Sequence, residues 1–316
     1  MKKTIAVILC VMMLLSFSAC EKDDGKYVIG ICQLMEHEAL GAATQGFMDA
    51  IVAELGEDNV EFDLQIAAGD SAICSNIALD FVNSEVDLIL ANATPALQSA
   101  FAATDEIPIL GTSITEYGVA MGIEDFNGVV GGNVSGTSDL APLDQQAAMI
   151  KEWFPDAKNV GLLYCSAEPN SKYQVDTVQK HLEALGFNCK QYAFSSTADM
   201  AAVTQTAADN SDVIYVPTDN TVAESTGIVD GICRPAGVPV IAGEQGICAG
   251  CGVATLSIDY YDLGVTTGKM AVQILTGKAD ISTMEIAYAP EFAKLYNPEI
   301  CSELNIDVPE GYSPIQ

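Results

Sequence analysis

The residues able to do chemistry are few, and their spacing argues against catalysis. The chain holds two histidines, His37 and His181, and a single arginine, Arg234. His37-Glu38-Ala39-Leu40-Gly41 opens like the zinc-protease motif, in which two histidines one helical turn apart grip the metal and the glutamate is the base. The second histidine is missing, which excludes a histidine-based catalytic zinc site. Gly41-Ala-Ala-Thr-Gln-Gly46 has the glycine spacing of a phosphate loop, but Phe47 and Met48 stand where lysine and a hydroxyl residue are needed. No G-x-S-x-G nucleophile elbow occurs. Cys248-Ala-Gly-Cys251 is the one C-x-x-C, and a single pair without a helix-start context is a weak basis for redox or metal chemistry. The pattern calls for no enzyme, no metal and no cofactor; a thiol redox protein using Cys248 and Cys251 is the minor alternative.

The N-terminus carries the sharpest motif. Lys2 and Lys3 precede an uncharged run from Ile5 to Leu15, too short for a membrane span, which needs about 20 apolar residues. It reads as a signal-peptide core. The run ends in Ser16-Phe17-Ser18-Ala19-Cys20, which resembles a bacterial lipobox, with Phe17 departing from the usual Leu or Val. Residues 1–20 are therefore expected to be a lipoprotein signal with Cys20 the lipid attachment site, and 21–26 a polar tether. Without Lys2 and Lys3, 11 basic side chains against 43 acidic leave a charge of −32, which repels nucleic acid. Hydrophobic residues make up 49% of the chain, enough to build substantial cores and to exclude disorder. Cys32 and Cys165 lie in apolar runs, where free cysteine behaves as a small buried hydrophobe.

The elements that must position any site alternate between strand and helix, the pattern of a parallel sheet covered on both faces. Strands are expected at 27–32, 60–67, 86–91 and 107–110, with helices at 39–55, 73–83 and 95–104 and Gly56 as a helix stop. The pattern then repeats: Asn159-Val-Gly-Leu-Leu-Tyr164 echoes the first strand, Asp212-Val-Ile-Tyr-Val216 echoes Asp87-Leu-Ile-Leu-Ala91, and Val238-Pro-Val-Ile241 echoes Ile107-Pro-Ile-Leu110. The fold class is α/β with two Rossmann-like doubly wound lobes joined by three crossover segments. Lobe 1 is expected at 27–138 plus 257–283 and lobe 2 at 139–256 plus 284–316, with Asn133 to Asp139 as the first crossing.

In doubly wound sheets ligands bind beyond the carboxyl ends of the strands. That rule selects Gln33 to Glu38, Asn92 to Pro95 and Gly111 to Glu116 in lobe 1, and Thr218 to Thr221 and Gly243 to Gly246 in lobe 2. Thr94-Pro95 reads as an N-cap followed by proline, whose free N–H groups suit a carboxylate. With no arginine nearby, a ligand carboxylate would rely on such N–H groups and on Thr94, Thr112, Ser113 and Thr115. Asp219 and Glu244 could hold an ammonium group; the plainer reading of Asp219 is that it caps its own helix. Glu36, His37, Asn220, Asp259 and the ring of Tyr117 complete the candidate site.

Met35-Glu-His-Glu-Ala-Leu40, Ala91-Asn-Ala-Thr-Pro95, Asn133-Val-Ser-Gly-Thr-Ser-Asp139, Tyr215-Val-Pro-Thr-Asp-Asn-Thr-Val222, Ala242-Gly-Glu244 and Ser257-Ile-Asp-Tyr-Tyr261 together resemble the ABC-transporter substrate-binding lipoproteins of the tryptophan- and tyrosine-associated type. The resemblance covers nearly all of the chain beyond Cys20. It implies a type I periplasmic-binding fold closing on its ligand by a hinge, an aromatic amino acid as ligand, an ABC permease as partner, a lipid anchor in the cell membrane and a monomer. Glu116-Tyr117 stands where the family has Asp-Pro, and Ile247 to Cys251 replaces a more polar loop; both flank the expected cleft. An exported sensor handing its ligand to a membrane receptor is the alternative within the same fold.

Overall fold

The computed structural model describes residues 25–289 and 291–315. The expected signal segment, Cys20 and most of the tether lie outside the described residues. Among the described residues no helix is long and apolar enough to cross a membrane.

In the first half, strands β1 (Tyr27–Gln33), β2 (Val60–Ile66), β3 (Leu88–Asn92), β4 (Ile109–Ile114) and β5 (Val134–Ser138) alternate with helices α1 (Glu38–Leu55), α2 (Ser71–Asn83), α3 (Thr94–Ala103) and α4 (Tyr117–Met121). All five residues of β3 and all six of β4 are buried, as expected of strands covered on both faces. Gly56 ends α1 with φ 85°, and its N–H returns to the Val52 carbonyl. The second half begins with α5 (Leu143–Trp153). It continues through β6 (Asn159–Cys165), α6 (Pro169–Ala184), β7 (Asn188–Phe194), α7 (Thr197–Ala208), β8 (Val213–Val216), α8 (Asn220–Glu224), α9 (Thr226–Ala236), β9 (Val240–Ala242), α10 (Gln245–Cys251) and β10 (Ala254–Ser257). Then come α11 (Tyr260–Leu275), β11 (Ala287–Tyr288), β12 (Ala293–Tyr296), α12 (Pro298–Glu303) and β13 (Ser313–Pro314).

Two sheets result. The lobe 1 sheet runs β11-β5-β4-β3-β1-β2 and is parallel throughout. The lobe 2 sheet runs β13-β12-β10-β9-β8-β6-β7, with β12 antiparallel to β10. Each sheet has an apolar core on both faces, around Phe81 and Phe47 in lobe 1 and around Tyr215 and Phe194 in lobe 2. Helix α11 leaves the lobe 2 sheet and packs along α1. The two backbones touch: a Cβ on Gly46 would lie 2.1 Å from the Tyr261 carbonyl, and one on Gly264 would lie 2.0 Å from the Ala43 carbonyl. Gly46, spaced like a phosphate-loop glycine, is thus a helix-crossing residue.

The sheet pairings move two expected boundaries. Ser257 is the last residue of β10 and belongs to lobe 2, whereas β11 pairs with β5 and keeps the chain in lobe 1 through Tyr288. The segment from Asn133, expected as a crossing, is mostly β5, because its Ser and Thr hydroxyls are satisfied inside lobe 1: Ser135 donates to the Met284 carbonyl and Thr137 bonds Thr112 and Thr267. The chain therefore crosses after β5, after β10 and after β11.

Candidate functional site

The carboxyl ends of β1, β4, β6, β8 and β9 converge on one cavity between the lobes. Six of the eleven candidate residues line it: His37, Ser113 and Thr115 from lobe 1, and Asp219, Asn220 and Glu244 from lobe 2. Asp139, at the first crossing, and Tyr260, at the second, close its back. Ala39, Leu40, Asn170, Thr218 and Ala223 complete the wall.

Five candidates lie elsewhere, each for a local reason. Glu36 is exposed on the β1–α1 loop. Thr94 is the first residue of α3 and not its cap; Ala93 occupies the cap with φ 88° and offers no side-chain hydrogen bond. Thr112 is fully buried and its hydroxyl accepts from Thr137 and Thr267, which commits it to the lobe 1 interior. The Tyr117 ring, 1% exposed, turns into the lobe 1 core, where it stacks on Phe126 and its hydroxyl donates to the Thr137 carbonyl at 3.1 Å. Its direction follows from helix α4, which Glu116 caps by accepting from the Val119 N–H. Asp259 caps α11 through the Asp262 N–H and borders a neighbouring pocket with Glu38 and Tyr261.

The two lobe 2 carboxylates face the cavity but are spent first on their own helices. Asp219 accepts from Val222 N–H at 3.0 Å and from Cys165 N–H at 2.7 Å. Glu244 accepts from Gly246 N–H at 2.6 Å and from Ile247 N–H. Behind them Glu168 accepts four hydrogen bonds, from both N–H groups and both side chains of Asn220 and Thr221. Because the Asn220 amide nitrogen is held by Glu168, its oxygen must face outward. It meets His37 Nε2 at 3.2 Å, so that nitrogen carries the proton. Gln174 adds a second contact across the cleft, from its amide to the Thr115 hydroxyl at 3.5 Å.

Three residues at the cleft escaped the sequence reading. Glu168 holds the N-cap of α6 and Asn170 is the second residue of that helix, just beyond β6, in the place that the Gln33 to Glu38 loop selected by the carboxyl-end rule holds after β1. Applied to every strand, the rule finds them. Asp139 stood inside a quoted motif without a role.

The cavity is anionic and has no lysine or arginine in its wall. Burial pushes the Asp139 carboxyl up to about 6, against the pull of the Tyr260 and Thr115 hydroxyls. Burial also pushes Glu244 up to about 7, and burial together with the charge of Glu168 pushes Asp219 up to about 8. His37 moves down, again through burial, which leaves it neutral at pH 7. Arg234 is held at the surface by Asp230, Glu299 and Glu303. Three buried polar atoms on the wall have no hydrogen-bond partner: Ser113 Oγ, Asp139 Oδ1 and Asn170 Oδ1. Ser113 also holds a left-handed backbone, φ 55°, the kind of strain that gathers at ligand sites. The thiol alternative is overturned here: Cys248 and Cys251 are buried, donate to backbone carbonyls, and are pushed by burial well above the usual thiol range.

Two hinged α/β lobes closed over a charged cavity define a ligand receptor. The chain belongs to the family described as ABC transporter substrate binding protein, which matches residues 28–313. It is thus the extracytoplasmic solute-binding component of an ABC transporter, of the type I periplasmic-binding fold, and not a catalyst. A protein of Clostridioides difficile (strain R20291) described as a tyrosine-binding protein is 36% identical over 256 residues, 79% of this chain and 73% of that protein. An ABC domain from Streptococcus pneumoniae solved in complex with L-Trp superposes with TM-score 0.87 at 31% identity, over 92% of this chain and 100% of that one. The ligand-free, open structure of a Clostridium difficile substrate-binding protein superposes at only 0.71 despite 36% identity, over 92% and 99%. A whole-chain score falls when two rigid lobes are turned differently. The whole chain superposes more closely on the L-Trp complex than on the open structure, in keeping with the direct His37–Asn220 contact.

Proposed function

We propose that this protein captures an aromatic α-amino acid between its lobes and presents the closed form to an ABC permease. The observation that carries the reading is a buried cavity walled by ionisable carboxylates, with no lysine or arginine to balance them and with unpaired acceptors and a hydroxyl on its wall. Burying an unpaired charge is costly, so the favoured occupant brings its own cation. A zwitterion does so, and its carboxylate would meet the Ser113 and Thr115 hydroxyls in lobe 1. The aromatic half rests on the tyrosine-binding relative and the L-Trp complex, with Leu40 and the Tyr260 ring as apolar wall in this chain. Tethering through a lipid on Cys20 and action as a monomer complete the reading. A thermal-shift screen of the mature protein against the amino acids and common sugars tests it, since a ligand binding only the folded state raises the melting temperature. Shifts confined to sugars would refute the amino-acid reading.

A further inference from the structure

The unpaired acceptors on the cavity wall are not the carboxylates at the strand ends of lobe 2. Asp219 and Glu244 accept two backbone N–H bonds each. Asp139 is different. It sits at the first crossing, where its N–H donates to the Ile114 carbonyl at 3.2 Å. The Tyr260 hydroxyl, from the second crossing, donates to Oδ2 at 2.9 Å. Oδ1 has no partner, although the residue is only 4% exposed. Asn170, 6% exposed, shows the same one-sided arrangement: its amide nitrogen donates to the Thr218 carbonyl at 3.1 Å and its Oδ1 is unpartnered. A nitrogen used in this way fixes the amide orientation, so the free atom is an acceptor and nothing else.

From this we infer that Asp139, with Asn170 on the same cavity wall, is the ammonium receptor of the cavity, and that Tyr260 positions it. The inference rests on the amino-acid reading above and names the group that enforces it. An ammonium carries three N–H donors and can satisfy both free oxygens. The hydroxyl of a 2-hydroxy acid brings one donor, and an arylpropionate brings none at that position. The cleft should therefore reject deaminated analogues of its own ligand, because they leave buried acceptors unpaired. Asp219 and Glu244 then act at one remove, as caps that shape the lobe 2 loops. The burial that raises the Asp139 pKa agrees with a carboxylate awaiting a cation.

The test is calorimetry on Asp139→Asn, in which the Tyr260 hydroxyl can still donate to the amide oxygen while an N–H replaces the free acceptor. The probes are whichever of L-tyrosine, L-tryptophan and L-phenylalanine binds wild type most tightly, and its matching arylpropionate. Loss of a charge-assisted hydrogen bond predicts amino-acid affinity lower by roughly 10- to 150-fold. Arylpropionate binding should hold or improve, so discrimination collapses. An Asp139→Asn protein that binds the amino acid within threefold of wild type overturns the inference while leaving the amino-acid reading intact. Wild type that binds none of the three overturns both. Should Asp139→Asn fail to fold, Asn170→Ala must show the same selective loss for the amino acid; equal losses for both probes would overturn the assignment.

Discussion

Closing an empty, anionic cleft should be uphill at neutral pH and become easier in acid. In the open form water hydrates Asp139, which then titrates near its ordinary 3.8; in the closed form burial carries it to about 6. That difference is worth about 3 kcal/mol at pH 7, using about 1.36 kcal/mol per pKa unit. The sign follows from proton counting: between 3.8 and 6 the closed form binds more protons than the open one, so closure gains as pH falls through 6. From pH 8 to pH 5, Asp139 alone should shift the closed-to-open ratio by roughly tenfold. Glu244 and Asp219, both raised by burial, push the same way, while His37, whose burial lowers its pKa, opposes them. Comparing wild type with Asp139→Asn cancels the opposing group. Small-angle scattering of ligand-free protein at fixed high salt would read the closed fraction. The expected result is compaction in acid, with a pH response about tenfold smaller in the variant. Equal responses in the two proteins, or expansion of wild type on acidification with the variant unchanged, would refute the linkage.

Further outcomes follow from the same structure. Tyr117→Phe removes a buried hydroxyl that bonds the Thr137 carbonyl, which should cost about 1 kcal/mol of stability in urea unfolding and leave ligand affinity unchanged. A loss of affinity at full stability would place Tyr117 at the ligand after all. Cys20→Ala should move the protein from the membrane to the soluble fraction of a cell extract; retention on membranes would count against the lipid anchor.

The architecture was legible in the sequence because the central parallel strands are covered on both faces, so each is written as a near-continuous apolar run. Val160 to Cys165 and Leu88 to Ala91 are examples, whereas the edge strands β2 and β7 are half exposed. The loops at the carboxyl ends of those strands were legible for the same topological reason. What the sequence hid was direction. Tyr117 looked like a cleft aromatic, and only the start of α4 decides that its ring turns inward. Glu244 looked like a ligand carboxylate, but it caps the helix that follows, a local bond that competes with any ligand; Asp219 does the same, as the plainer reading of its sequence had it. Asp139 gave no local signal, because its role depends on Tyr260, 121 residues away in the chain and adjacent only once both crossings are formed. β11 was missed because two residues carry no readable period, and pairing with β5 alone assigns it to lobe 1.

The central claim is that the anionic cavity exists for an aromatic zwitterion. Its most direct test is competition calorimetry on mature protein stripped of ligand by unfolding and refolding, titrated with tryptophan, tyrosine and phenylalanine against leucine, valine and a neutral sugar. An aromatic contact adds about 0.5–1.5 kcal/mol beyond the area it buries. At least one aromatic amino acid should therefore bind roughly tenfold or more tightly than either aliphatic one, with a negative heat-capacity change from apolar burial. A sugar or a branched aliphatic amino acid binding more tightly than all three aromatics would contradict the account.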